Sequence, residues 1–159
     1  MIYSDVALWM FWGALYAMTA FCLYKMAITD WRRRIIPDVF LFPVIISGLI
    51  SVAFFPHWPI QMGDAIVGGA FGYGLAMIVG MIFQRAHKQD EFPPIGLGDI
   101  KLVFAGGLFL GCTGLAWALA LACVGAMIWG RIKHVRYIPF APFFIIGGIL
   151  SFIANVFLI

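Results

Sequence analysis

Charge is what this sequence has least of. Of its 159 residues 11% are charged and 64% are hydrophobic, whereas a water-soluble domain carries roughly 25% charged residues. Ten Lys+Arg and seven Asp+Glu are too few to solvate a globule of 17.6 kDa, and an apolar excess is the reverse of what keeps a chain disordered. A net charge of +3, with no aromatics interleaved among basic residues, leaves no footprint for nucleic acid. Cysteine is scarce as well. Cys22, Cys112 and Cys123 lie in apolar surroundings and form neither a CxxC pair nor a His/Cys cluster. Nothing therefore indicates a zinc site or a disulfide framework, and the thiols read as small packing groups. No metal or other cofactor is expected. The amino terminus lacks the basic segment of a cleaved signal peptide, and its apolar run is too long for one. The remaining choice of solvent is lipid.

A bilayer core takes about 20 apolar residues per helix. On that scale the sequence predicts spans near 6–28, 39–55 and 65–83, an apolar stretch over 102–130, and a last span over 138–159. The fourth stretch is long for one span and short for two, and Gly111-Cys112-Thr113-Gly114 in its middle offers a turn. Basic residues gather in cytoplasmic loops. Lys25 and Arg32–Arg34 follow the first span, Arg85, Lys88 and Lys101 precede the long stretch, and Arg131, Lys133 and Arg136 follow it. Two crossings of 102–130 put all ten basic residues on one side, whereas one crossing strands the 131–136 cluster outside. The expectation is an all-α, polytopic membrane protein of six transmembrane helices, with both termini outside and a short fourth helix near 100–110. Residues 1–159 form a single membrane domain without internal repeats. Gly68/Gly72 and Gly107/Gly111 have the GxxxG spacing that lets helix backbones approach closely, for internal packing before dimerisation. The oligomeric state is left open.

The acids divide by position. Asp5 and Asp64 fall on the outer side, Asp64 as a helix N-cap, while Asp90 and Glu91 belong to a polar loop. Asp30, Asp38 and Asp99 stand at the cytoplasmic ends of apolar helices. Each has a structural explanation: Asp38 and Asp99 as N-caps, and Asp30 as a partner for the arginines that follow it. Carboxylates at the hydrocarbon boundary are nonetheless costly and face a cavity or a partner. Two of them brought close share a proton, which is the arrangement for activating water, one carboxylate acting as base and the other as acid. Spacing permits such a dyad without establishing it.

Three segments carry a wider pattern. Asp30-Trp-Arg-Arg-Arg-Ile-Ile-Pro37-Asp38 resembles the D-x(6)-P-D element of type IV prepilin leader peptidases. Gly96-Leu97-Gly98-Asp99-Ile100-Lys101-Leu102 is similar to their G-x-G-D-x-K-L element, and Ile138-Pro139-Phe140-Ala141-Pro142-Phe143 to their PFGPF stretch, with Ala141 in place of Gly. The resemblance implies an intramembrane aspartyl peptidase of the GxGD kind, with Asp30 and Asp99 catalytic. Asp38, Pro37, Gly96, Gly98, Lys101, Pro139 and Pro142 would be supporting. The implied partner is the helix of a prepilin or pseudopilin, cut at the cytoplasmic face of a prokaryotic inner membrane, commonly after a Gly and ahead of a hydrophobic helix.

On this reading Gly96 and Gly98 open the backbone beside Asp99 to an extended substrate strand, or serve only as a flexible turn. Arg32–Arg34 anchor the loop to anionic headgroups, and Lys101 contacts lipid or has a structural role. Pro139 and Pro142 bend the start of the last helix. The first cytoplasmic loop, near 29–38, is short and the sequence has no CxxC, so the longer family members' N-methyltransferase insert has no counterpart in it. The short form resembles the peptidases of Flp/Tad pilus systems, with preflagellin peptidases a second comparison. A proton-coupled carrier is the competing class, as is an inactive pilus-assembly factor. A carrier wants its acids near the bilayer midplane, and these lie at helix ends.

Overall fold

The computed structural model describes residues 2–55, 58–86, 96–134 and 138–158. Within them the chain forms five α-helices: α1 (Ile2–Arg33), α2 (Asp38–Phe54), α3 (Met62–Ala86), α4 (Leu97–Lys133) and α5 (Phe140–Leu158). Four of these, all but α2, are long and apolar enough to cross a membrane. The 17 residues of α2 rise about 26 Å. The expected polar loops around Asp90 and Arg136 lie outside the described residues.

Helix α1 runs further than its hydropathy predicts. Its apolar run fades near Ile28, but the helix continues to Arg33, so Asp30 sits on a helix and not in a loop. Thr29 donates its hydroxyl to the Lys25 carbonyl, and Arg32 and Arg33 place positive charge at the negative end of the helix dipole. Arg34, with φ 56°, then ends the helix in the left-handed region, its N–H bonding the Asp30 carbonyl at 2.9 Å. Residues Trp12, Leu15, Thr19, Cys22, Met26 and Asp30 are buried in turn. They form one seam at three- and four-residue spacing.

Helix α4 is interrupted at Gly111, whose φ of 66° and ψ of −174° suit glycine almost alone. The chain reverses there. Gly72 of α3 faces both Val103 and Leu115, and Phe144 of α5 packs on Gly106 while Phe143 packs on Gly125. A straight helix of 37 residues would hold its ends about 55 Å apart. Instead, Trp129 near its end stacks edge-on with Trp31 of α1 at 5.2 Å, and Gly98 at its start packs against Ile36, five residues after Trp31. Arms 97–110 and 112–133 are therefore antiparallel. The anticipated turn falls at the first residue of the Gly111–Gly114 stretch.

The reversal is held from α3. Asp64 does not cap its own helix. It stands in the first turn of α3, and its carboxylate accepts the N–H of Cys112 at 3.3 Å, at the head of the returning arm. Gly68 meets Gly107 and Gly111 backbone to backbone, since a Cβ on Gly68 would lie 2.6 Å from the Gly111 carbonyl carbon and 3.0 Å from the Gly107 carbonyl oxygen. The two GxxxG patterns thus pack against each other inside one chain. Helix α5 lies along the returning arm, where Gly147 meets the backbone of Ala118.

Candidate active site

The ends of α1 and α5 and both ends of α4 converge, and two carboxylates 69 residues apart in sequence are brought to that same end. Asp30 comes from the last turn of α1, one turn beyond Met26 on the buried seam, and is only 5% exposed. Its Oδ2 accepts the backbone N–H of Ala141 at 2.9 Å. The prolines explain why that bond forms. Ala141 lies in the first turn of α5, where N–H groups have no partner within the helix. Pro139 and Pro142 carry no N–H, so the Ala141 amide is one of few donors at that helix start. The helix dipole favours a carboxylate at the same place. Arg34 acts electrostatically on Asp30 from the chain beyond α1.

Asp99 is half-buried in the first turn of α4. Gly96 is the N-cap, and its N–H bonds Asp99 Oδ2 at 3.2 Å, so Asp99 closes the turn from the third helical position instead of capping it. The Asp30 charge acts on the Asp99 carboxyl. Each carboxylate spends one oxygen on a backbone N–H, Oδ2 in both cases.

Gly98 is needed for contact. A Cβ there would lie 2.8 Å from Ile36 Cβ and 3.3 Å from the Ile36 carbonyl oxygen. The turn that carries Asp99 therefore rests on the connection between α1 and α2. Ile36, buried beside Pro37, escaped the sequence reading; its signal was a lone apolar pair between Arg34 and Pro37.

Asp38 begins α2 but does not cap it. Pro37 is the N-cap, its carbonyl accepting the N–H groups of Phe40 and Leu41. The Asp38 carboxylate instead takes Lys101 in a two-oxygen ion pair, Nζ lying 2.8 and 2.9 Å from Oδ1 and Oδ2. Lys101 also lies over the Phe42 ring, 5.7 Å from its centroid. Asp38 is exposed, unlike Asp30. Thus Asp30 and Asp99 lie at the same end of the bundle, Asp99 bonded to Gly96 and next to Gly98, Asp30 bonded to the Ala141 amide between Pro139 and Pro142, while Asp38 and Lys101 form a brace at the edge. Among the described residues no group of three His, Cys, Asp or Glu is placed to hold a metal.

A family model described as the type IV leader peptidase family matches residues 16–131. The chain is 27% identical over 146 residues to the prepilin leader peptidase/N-methyltransferase of Escherichia coli K12, covering 87% of this chain and 62% of that protein. It is 28% identical over 145 residues to the protein of the same name from Aeromonas salmonicida, covering 86% and 48%. A type 4 prepilin-like proteins leader peptide-processing enzyme of Escherichia coli O78:H11 is 26% identical over 146 residues, covering 88% and 51%. The chain thus spans about half to three-fifths of the length of these relatives. No solved structure matches it.

Proposed function

The chain belongs to the type IV leader peptidase family, and on that premise we propose that it is an aspartyl endopeptidase that removes the leader of type IV prepilins or pseudopilins. The observation that carries this reading is the presence of Asp30 and Asp99 at the same end of an apolar bundle, each already held by a backbone N–H. Peptide hydrolysis by such a pair needs one carboxylate ionised and one protonated. The ionised group takes a proton from a water whose oxygen attacks the scissile carbonyl. The protonated group donates to the carbonyl oxygen, and a proton then passes to the leaving amine as the C–N bond breaks. No metal or cofactor enters this scheme. The buried Asp30–Ala141 bond fixes one carboxylate in place, and the Gly98–Ile36 contact fixes the turn carrying the other. Such positioning lowers the cost of assembling the reacting groups.

The topology proposed with it is six membrane helices with both termini outside and the aspartates at the cytoplasmic face. It is supported by the reversal at Gly111 and by aromatic residues at both ends of the bundle. Trp12, Phe55 and Trp58 cluster at one end and Trp31 and Trp129 at the other. Trp12 and Trp31 are 19 residues apart on α1, about 29 Å, close to the roughly 30 Å of a hydrocarbon core. Arg32, Arg33, Arg85, Arg131 and Lys133 lie in the last turns of their helices, where anionic headgroups and the positive-inside rule both favour them. The fourth membrane helix is then the 97–110 arm, about 21 Å long.

Co-expression with candidate prepilins tests the function. The expected result is a shift to smaller prepilin size on leader removal, dependent on this chain. Unchanged size across prepilins that a relative does process contradicts the reading.

A further inference from the structure

Beneath the aspartates the helices part. A cavity of about 450 Å³ lies between α1, α2, the 97–110 arm of α4 and α5. Leu23, Leu102 and Phe144 stand at its near end. They lie about two turns before Asp30, one turn after Asp99 and one turn after Ala141. Trp58 and Val156 stand at its far end. The walls are apolar even where the residues are not. The Tyr16 hydroxyl is bonded to Ser51 Oγ and that of Thr19 lies 2.8 Å from both Ser47 Oγ and the Leu15 carbonyl, so both are satisfied within the protein. The Asp30–Ala141 bond pins α1 to α5 at the aspartate end. Further along α5, Ile149 and Val156 line the cavity and are half exposed, so it opens sideways through the outer face of the bundle.

We propose that this groove receives one face of the apolar segment of a membrane-anchored substrate, the segment adjoining the bond presented to Asp30 and Asp99. The inference rests on the peptidase reading for the identity of that substrate. One feature selects a polypeptide segment over a lipid chain. The near end of the groove, at Leu102 and Leu23, lies one turn from Asp99 and two from Asp30, so a segment lying in it carries its end towards both carboxylates. Midway along, Gly148 leaves the wall without a side chain. A Cβ there would meet nothing nearer than Leu110 Cδ1 at 3.7 Å. A larger residue at 148 therefore fills the groove without disturbing the packing behind it.

The test places a photoreactive phenylalanine analogue at Phe152, on the groove wall, in the full chain in membranes with a co-expressed prepilin. The expected product is an adduct whose cross-link falls in the prepilin's apolar segment, reduced by Gly148→Leu. The same substitution raises the KM for prepilin by roughly tenfold with kcat little changed and insertion intact. Adducts with lipid alone, adducts confined to the leader, or a Gly148→Leu variant with unchanged KM and labelling overturn the proposal. Cleavage is scored separately. Labelling of the apolar segment without any cleavage supports the groove and removes the peptidase reading. Cleavage with only lipid labelled removes the groove and leaves the peptidase.

Discussion

Asp30 holds a structural bond and is proposed to do chemistry, and two substitutions separate the roles. An Asn at 30 keeps an oxygen able to accept the Ala141 N–H but cannot trade a proton at pH 7, whereas an Ala loses both. Asp30→Ala is expected to lower thermal stability in detergent by about 1–3 kcal/mol, the cost of orphaning a buried donor. Asp30→Asn should stay within about 0.5 kcal/mol of the parent. Equal losses would mean that the charge, and not the hydrogen bond, holds α5. Gly98→Ala drives a methyl against Ile36 and should cost about 1–3 kcal/mol, the usual range for overpacking. Ile36→Ala in the same chain should recover part of it, and failure of the pair to recover would place the strain elsewhere. At this scale the sequence made Asp30 and Asp99 legible through their motifs. Their partners were not legible. Ala141 is 111 residues from Asp30 and Lys101 is 63 from Asp38, and no local spacing rule reaches so far.

Elements were legible as apolar runs, and their ends were not. Hydropathy marks where a helix leaves lipid; hydrogen bonding and capping decide where it stops, which is why α1 carries Asp30 and its arginines on a helix up to Arg33. A turn within Gly111–Gly114 was expected from charge placement, but one glycine among 18 gives no local sign of being the residue in the positive-φ region. Gly111→Ala should cost about 1–3 kcal/mol of backbone strain, measured by thermal unfolding, with further loss from crowding Asp64. A neutral effect would mean that the arms adjust to another turn. The Asp38–Lys101 brace ties the start of α2 to the second turn of α4. Exposed pairs contribute roughly 0–1 kcal/mol, so Lys101→Asp should barely alter stability. Cleavage should drop severalfold and recover when Asp38→Lys is added. Without recovery in the exchanged pair, Lys101 serves lipid or substrate and not Asp38.

The whole molecule turns the scarcity of charge into an orientation. The described helices that end in basic residues converge on the end that holds Asp30 and Asp99, while Asp64 holds the reversal at the opposite end. A reporter fused after Gly114 should read as outside; a cytoplasmic signal there would contradict the six-helix topology. The all-helical membrane fold was legible because lipid sorts residues by solvent, and the polarity proposed above rests on their sign. The groove was not, because its lining comes from four helices that meet only in the folded chain, which no single helix's sequence encodes. The account depends most on the aspartate pair, and one measurement addresses it directly. Prepilin cleavage is scored with the parent chain, Asp30→Asn and Asp99→Asn, each verified as stably inserted. The expected result is cleavage by the parent and a loss of at least about 100-fold in both variants. Cleavage near the parent rate by either inserted variant would contradict the assignment of the pair.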